Sequence, residues 1–133
     1  MQISALVRNA ADAQETMVRT GDCVQRVGVP AKAHGRGSAV NGGEFLMLAL
    51  ATCYCNDLYR EAERLGIALD AVEVEAFAEF PGIGLAATNI RYRAKVASKA
   101  DPAQIAALLA QTDAVAEIHN TLRAGAAVER IDT

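Results

Sequence analysis

At 133 residues the chain is long enough for a single domain, residues 1–133, with a real core; 52 % of it is apolar but only 5 % aromatic, so that core rests on close helix–sheet contact more than on rings. Its 13 basic and 16 acidic residues are interspersed, net charge −3, with no basic block to follow a phosphate backbone, which argues against a nucleic-acid partner. The start, Met1-Gln2-Ile3-Ser4-Ala5, has neither the charge nor the apolar stretch of a signal peptide, and the longest apolar run, Phe45 to Ala51, falls far short of the roughly 20 residues that span a bilayer.

Ile3 to Val7 and Glu15 to Val29 are rich in β-formers and read as strands, the second folded into a hairpin at Thr20-Gly21-Asp22. Pro30 to Gly43 holds four glycines and reads as a mobile loop. Helix signals begin at Asn41, a cap acceptor, with Glu44 at the capping-box spacing. The helix is expected to run to Leu65, where Gly66 offers a left-handed stop. Its first half, Phe45 to Ala51, is apolar all round, as for a segment buried on every side. Its second half, Asn56 to Arg64, is amphipathic, with Leu58, Ala62 and Leu65 inward, so the helix is expected to start in the core and emerge toward solvent.

Val72 to Phe80 alternates an apolar parity with Glu73, Glu75 and Glu79, and Ile90 to Val96 alternates an apolar parity with Arg91, Arg93 and Lys95. Such alternation predicts two antiparallel strands with one buried face, the charges forming a solvated outer face. Asp101-Pro102 opens a helix with Gln104 at the box position, expected to end near Ala110. A short helix is expected from Thr112 or Asp113 to just before Gly125, and a last strand from Ala126 to Ile131. The order β-β-β-α-β-β-α-α-β predicts an α+β fold with antiparallel sheet.

Three cysteines, an odd number without a secretory signal, argue for free thiols in a reducing, cytoplasmic compartment. Cys53 and Cys55 stand two apart on the helix and point to nearly opposite sides, poor geometry for a disulfide or a metal; His34 and His119 are too far apart in sequence to suggest further ligands, and no metal or cofactor is expected. As free cysteines both read first as small buried hydrophobes. Cys53 also shares its face with Met47, Leu50, Asp57 and Arg60: the arginine favours a thiolate and the aspartate opposes it, so the sign stays open. Cys23, beside the hairpin turn, has no evident role. Gly35-x-Gly37 and Gly42-Gly43 precede a helix N-terminus but lack the Lys-Ser/Thr of a phosphate loop, and Glu44 would repel an anion; this is a flexible loop with a tight helix entry.

From Asn41 to Val74 the sequence Asn-Gly-Gly-Glu-Phe-Leu-Met-Leu-Ala-Leu-Ala-Thr-Cys-Tyr-Cys, then an amphipathic half-helix, Leu-Gly-Ile and Val-Glu-Val, resembles the OsmC/Ohr family, where an Asn-Pro-Glu-Glu-Leu…Ala-Ala-Cys segment opens a long buried helix bearing the reactive cysteine. The element order also resembles that family over nearly the whole chain. The resemblance implies a two-layer α+β unit, an intertwined homodimer with two central helices, and a site at the dimer interface. It implies reduction of organic hydroperoxides by a thiolate that becomes a sulfenic acid and is captured by a second cysteine. Cys53 falls on the peroxidatic position. The family's second cysteine aligns with Ala116, in Ala116-Glu117-Ile118-His119-Asn120-Thr121-Leu122. The family glutamate aligns with Gly43, leaving Glu44 one residue later; its arginine belongs to the early hairpin region, where Arg8 and Arg19, or Arg36 from the loop, are the candidates, none matched by a motif.

The resemblance makes Cys53 the reacting thiol, with Glu44 and Arg36 completing the candidate catalytic set; Glu117 and His119, one and three residues from the position of the missing cysteine, and Cys55 are the candidate binding residues. Three outcomes stay open: an external thiol resolves a Cys53 sulfenate, Cys55 or Cys23 substitutes for the missing cysteine, or the interface pocket binds a small apolar or thiol-containing molecule without chemistry. Taken alone, His119 reads as a surface position on a short helix.

Overall fold

The computed structural model describes residues 1–11 and 13–132 as an α+β chain in two compact units, Met1–Phe45 and Leu46–Thr133. No helix among the described residues is long and apolar enough to cross a membrane.

The first unit is an antiparallel meander of β1 (Ile3–Asn9), β2 (Gln14–Thr20) and β3 (Cys23–Arg26), in the order β1-β2-β3. Ile3 pairs with Thr20 and Val7 with Thr16, while Thr20 pairs with Cys23 across the expected turn. Gly21 sits there at φ +55°, where a side chain would be strained. β3 stops at Arg26, short of the expected Val29. Glu15 ties the sheet by accepting Arg8 at 2.9 Å and Arg26 at 3.3 Å. The following loop is braced by an isolated antiparallel bridge between Ala31 and Ser38.

Helix α1 (Gly42–Leu65) starts and ends where local chemistry dictates. The Asn41 N–H donates to Glu44 Oε2 at 2.7 Å and the Glu44 N–H to Asn41 Oδ1 at 3.0 Å, a complete capping box. At the far end Gly66 takes φ +69°, the Ile67 N–H reaches Ala62 O at 2.8 Å and the Gly66 N–H reaches Glu63 O at 3.1 Å, the Schellman closure.

In the second unit β4 (Ala71–Glu79) and β5 (Thr88–Ala97) form an antiparallel hairpin. Glu73 faces Lys95 at 3.0 Å and Glu75 faces Arg93 at 2.7 Å on the outer side. Arg93 also lies 5.8 Å from the Phe77 ring centroid. The inner parity, Val72, Val74, Tyr92, Ala94 and Val96, packs on a core of Tyr54, Leu58, Ala62, Leu108 and Ala116. α2 (Pro102–Val115) is capped at Asp101, whose carboxylate accepts the Ala103 N–H at 2.7 Å. α3 spans Glu117–Arg123 and ends before Gly125 at φ +64°.

Four expectations are corrected. α1 does not start in the core and emerge: within the chain its second half is the buried one, at Tyr54, Leu58 and Ala62, because the hairpin and α2 cover it, whereas Leu48 in the apolar first half is 57 % exposed and Leu65 is exposed too. α2 runs past Ala110 to Val115; buried Thr112 donates its hydroxyl to Leu108 O at 2.8 Å, so the polar residue continues the helix. α3 consequently begins at Glu117 and not at Thr112 or Asp113. Ala126 to Ile131 forms no strand: it pairs with none of the described strands, and Val128 is 99 % exposed.

Candidate active site

Cys53 sits mid-way along α1, half-buried, and a turn later on the same face stand Asp57 and then Arg60 and Glu61. The Cys53 thiol donates to Asp57 Oδ2 at 3.4 Å, and Glu117 Oε2, carried by α3, lies 3.9 Å from Sγ. Arg60 Nη1 contacts Asp57 Oδ1 at 2.7 Å and Glu117 Oε1 at 3.5 Å, and its Nε donates to Glu61 at 3.3 Å. Arg64 Nε closes the row on Glu61 at 2.8 Å. Asp57 and Glu61 are buried. Two carboxylates near the thiol thus share one guanidinium with a third.

The electrostatics settle the sign that the sequence leaves open. Burial pushes the Cys53 thiol above its ordinary pKa; the Ile118 backbone N–H pulls it down, but the hydrogen bond to Asp57 and the charges of Asp57 and Glu117 push it further up. Asp57 is itself raised, chiefly by burial, against the lowering effects of Cys53 and Arg60. Arg64 holds Glu61 below the usual carboxylate range. At rest, therefore, the site holds a protonated thiol hydrogen-bonded to a carboxylate of enhanced basicity. The Cys53, Asp57 and Glu117 ligand atoms lie within 4.8 Å of one another, a spacing a divalent ion can use, but Arg60 already balances both carboxylates.

Of the residues singled out from sequence, Glu117 is brought to Cys53. His119 is no surface residue: it is 4 % exposed, edge-on to Tyr92 at 4.5 Å between ring centroids and 5.6 Å from Tyr54. Its shielding follows from α3 folding back onto the core face of β5. Burial, and then the Arg123 charge, push its pKa down. Ala116 is fully buried at the α2–α3 junction. Cys55 is half-buried, about 200° around the helix from Cys53. Arg36 and Glu44 belong to the first unit, as do Arg8, Arg19 and Cys23; Glu44 is engaged as the cap of α1 and Arg8 by Glu15.

Sequence reasoning did not find a second polar chain beside the site. The Tyr92 hydroxyl donates to Asp113 Oδ1, and Arg123 Nη2 donates to the same oxygen at 2.7 Å. Tyr54 donates to Leu109 O at 2.7 Å. The available signal was Tyr92 on the apolar parity of β5, because a buried phenol needs an acceptor. The acceptor's position, 21 residues on, depends on how α2 lies.

A family model described as OsmC-like protein matches residues 35–130. Among solved structures, the chain is similar to an OsmC-like protein from Mycoplasma pneumoniae, at 16 % identity over 92 % of this chain and 86 % of that one, TM-score 0.62. It is also similar to an organic hydroperoxide resistance protein OsmC from Legionella pneumophila (16 % identity, 92 % and 90 % covered, TM-score 0.60). A third similar structure is an organic hydroperoxide resistance protein from Elizabethkingia anophelis (15 % identity, 92 % and 89 % covered, TM-score 0.61). No curated protein matches the sequence. At these identities the structural likeness speaks for the fold.

Proposed function

The chain belongs to the OsmC-like protein family, and we propose that it is a thiol-dependent hydroperoxide reductase of one-cysteine type, with Cys53 as the reacting thiol. The observation that carries this reading is the 3.4 Å hydrogen bond from the Cys53 thiol to Asp57, which puts a base within reach of the proton the reaction must remove. The sulfur attacks the terminal oxygen of the hydroperoxide, so that an S–O bond forms and the O–O bond breaks. The thiol proton passes to Asp57 and from there to the departing alkoxide, leaving an alcohol and a Cys53 sulfenic acid. One external thiol condenses with the sulfenic acid, releasing water; a second frees Cys53 and leaves as the disulfide. Glu117 and Arg60 hold charge around the sulfur, Arg36 and Glu44 keep supporting roles by resemblance alone, and His119 and Cys55 stay candidate binding residues by their place in the sequence. The reading takes residues 1–133 as one OsmC-like domain in a cytoplasmic homodimer, since three free thiols suit a reducing compartment and Leu48 and Tyr59 leave apolar surface on α1 uncovered.

The test is stopped-flow consumption of cumene hydroperoxide with dithiothreitol or a dihydrolipoyl donor, comparing wild type with Cys53→Ser, and mass detection of a trapped Cys53 sulfenate. Turnover lost in the variant is the expected result. Equal, negligible rates in both proteins overturn the reading. A second reading, a non-catalytic dimer that binds a small apolar molecule, is supported by the resemblance, which puts Ala116, buried in this chain, at the position of the family's second cysteine.

A further inference from the structure

A cavity of about 220 Å³ opens between α1, β5 and α3, lined by Leu50, Ile90, Tyr92, His119, Leu122 and Arg123. Three of the six are aliphatic, and two offer aromatic rings. The polar atoms of the wall are otherwise spoken for. The Tyr92 hydroxyl has Asp113. Arg123 donates to Asp113 Oδ1 at 2.7 Å, to the Asp113 carbonyl at 3.2 Å and to Asn120 Oδ1 at 3.3 Å. His119 is different: 96 % buried by its 4 % exposure, it has no hydrogen-bond partner at either ring nitrogen. An unpaired buried polar group costs on the order of 1–3 kcal/mol, so a ligand that gave the imidazole a partner would recover part of that cost.

We propose that this cavity binds a small uncharged aromatic alcohol of about the size of phenol, its ring among Leu50, Ile90, Leu122 and Tyr92 and its hydroxyl on the His119 imidazole. The size follows from volume: an apolar cavity of about 150 Å³ admits benzene, so 220 Å³ takes one ring with a small substituent. The absence of charge on the ligand follows from Asp113, which already neutralises Arg123, so a carboxylate would surrender its hydration for a cation that is taken. The hydroxyl follows from His119, which in its neutral form offers one donor and one acceptor. Both nitrogens are sealed in the present setting of the ring, and a half-turn about χ2 exchanges carbon for nitrogen along its edge. The inference deepens the binding reading and is independent of Cys53 reactivity, because phenol has no O–O bond to reduce.

The experiment titrates the whole protein with phenol and with toluene, its near-isostere without the hydroxyl, following the His119 ring nitrogens by NMR. The expected result is binding of phenol about fivefold tighter than toluene, with a shift of a His119 nitrogen for phenol alone, one hydrogen bond's worth of preference. His119→Phe is expected to erase the preference and keep toluene binding, and Cys53→Ser to leave it unchanged. Failure of both probes to bind, as when a second copy of the chain fills the cavity, overturns the proposal. Equal affinities in wild type, or a preference that survives in His119→Phe, do so as well. If that variant does not fold, the wild-type spectrum decides: a His119 nitrogen unmoved by saturating phenol is refutation enough.

Discussion

Replacing Asp57 with asparagine separates the two roles that the structure gives this carboxylate. As a negative charge 3.4 Å from Sγ it adds to burial, the larger cause, in holding the Cys53 thiol protonated. Coulomb's law gives about 1 kcal/mol for unit charges at that distance in water. Partial burial enlarges the effect and the Arg60 ion pair at 2.7 Å diminishes it, so about 1 kcal/mol is retained here. Asp57→Asn should therefore raise the thiolate fraction, and with it the rate of iodoacetamide alkylation at pH 7, by about fivefold. As a base and proton donor, the same carboxylate should accelerate hydroperoxide reduction, and its loss should slow that reaction by roughly 100-fold or more. Opposite signs in the two assays are the signature of a proton-transfer role. Alkylation of Cys53 in the variant no faster than in wild type, with the fold intact by circular dichroism, would refute the electrostatic account; faster reduction alongside faster alkylation would refute the base.

Leu58 is fully buried between α1 and the hairpin, so Leu58→Ala should cost roughly 2–5 kcal/mol in urea unfolding, and a loss below about 1 kcal/mol would contradict the core described here. His119 is neutral in the fold with its pKa lowered, so its contribution is complete above the unfolded value of about 6.5 and is lost as pH falls below it. Urea midpoints should thus fall from pH 7.5 to 5.5, and His119→Phe should flatten that slope; an unchanged slope argues that the imidazole is not shielded. Light scattering should give about twice the 14.0 kDa chain mass, and a monomer would count against the proposed homodimer.

Much of the architecture is legible because it is written in local pattern. The Asn41–Glu44 box and Gly66 bound α1 through bonds to their own neighbours, and the alternation of glutamates against Arg93 and Lys95 sets which faces of β4 and β5 meet water and in what register. Asp57 and Arg60 could be placed beside Cys53 by helical spacing alone. The effect of that pairing on the thiol could not, because it depends on desolvation and on Glu117 arriving from 64 residues away. Where local rules misled, a tertiary contact had overruled them. Thr112 reads as a break yet is buried and back-bonded, so α2 carries on to Val115. Ala126 to Ile131 has the composition of a strand, but a strand needs an edge to join.

Sequence by itself thus determined the order of the first eight elements, the caps of α1, the start of α2, the opposed charges of the β4–β5 hairpin and the place of Cys53 on α1. Only the tertiary structure decided which half of α1 this chain buries, that His119 is enclosed without a partner, and that Cys53 faces carboxylates. Periodicity is a property of residues near one another along the chain, whereas burial and pKa are set by whichever distant element lands on them.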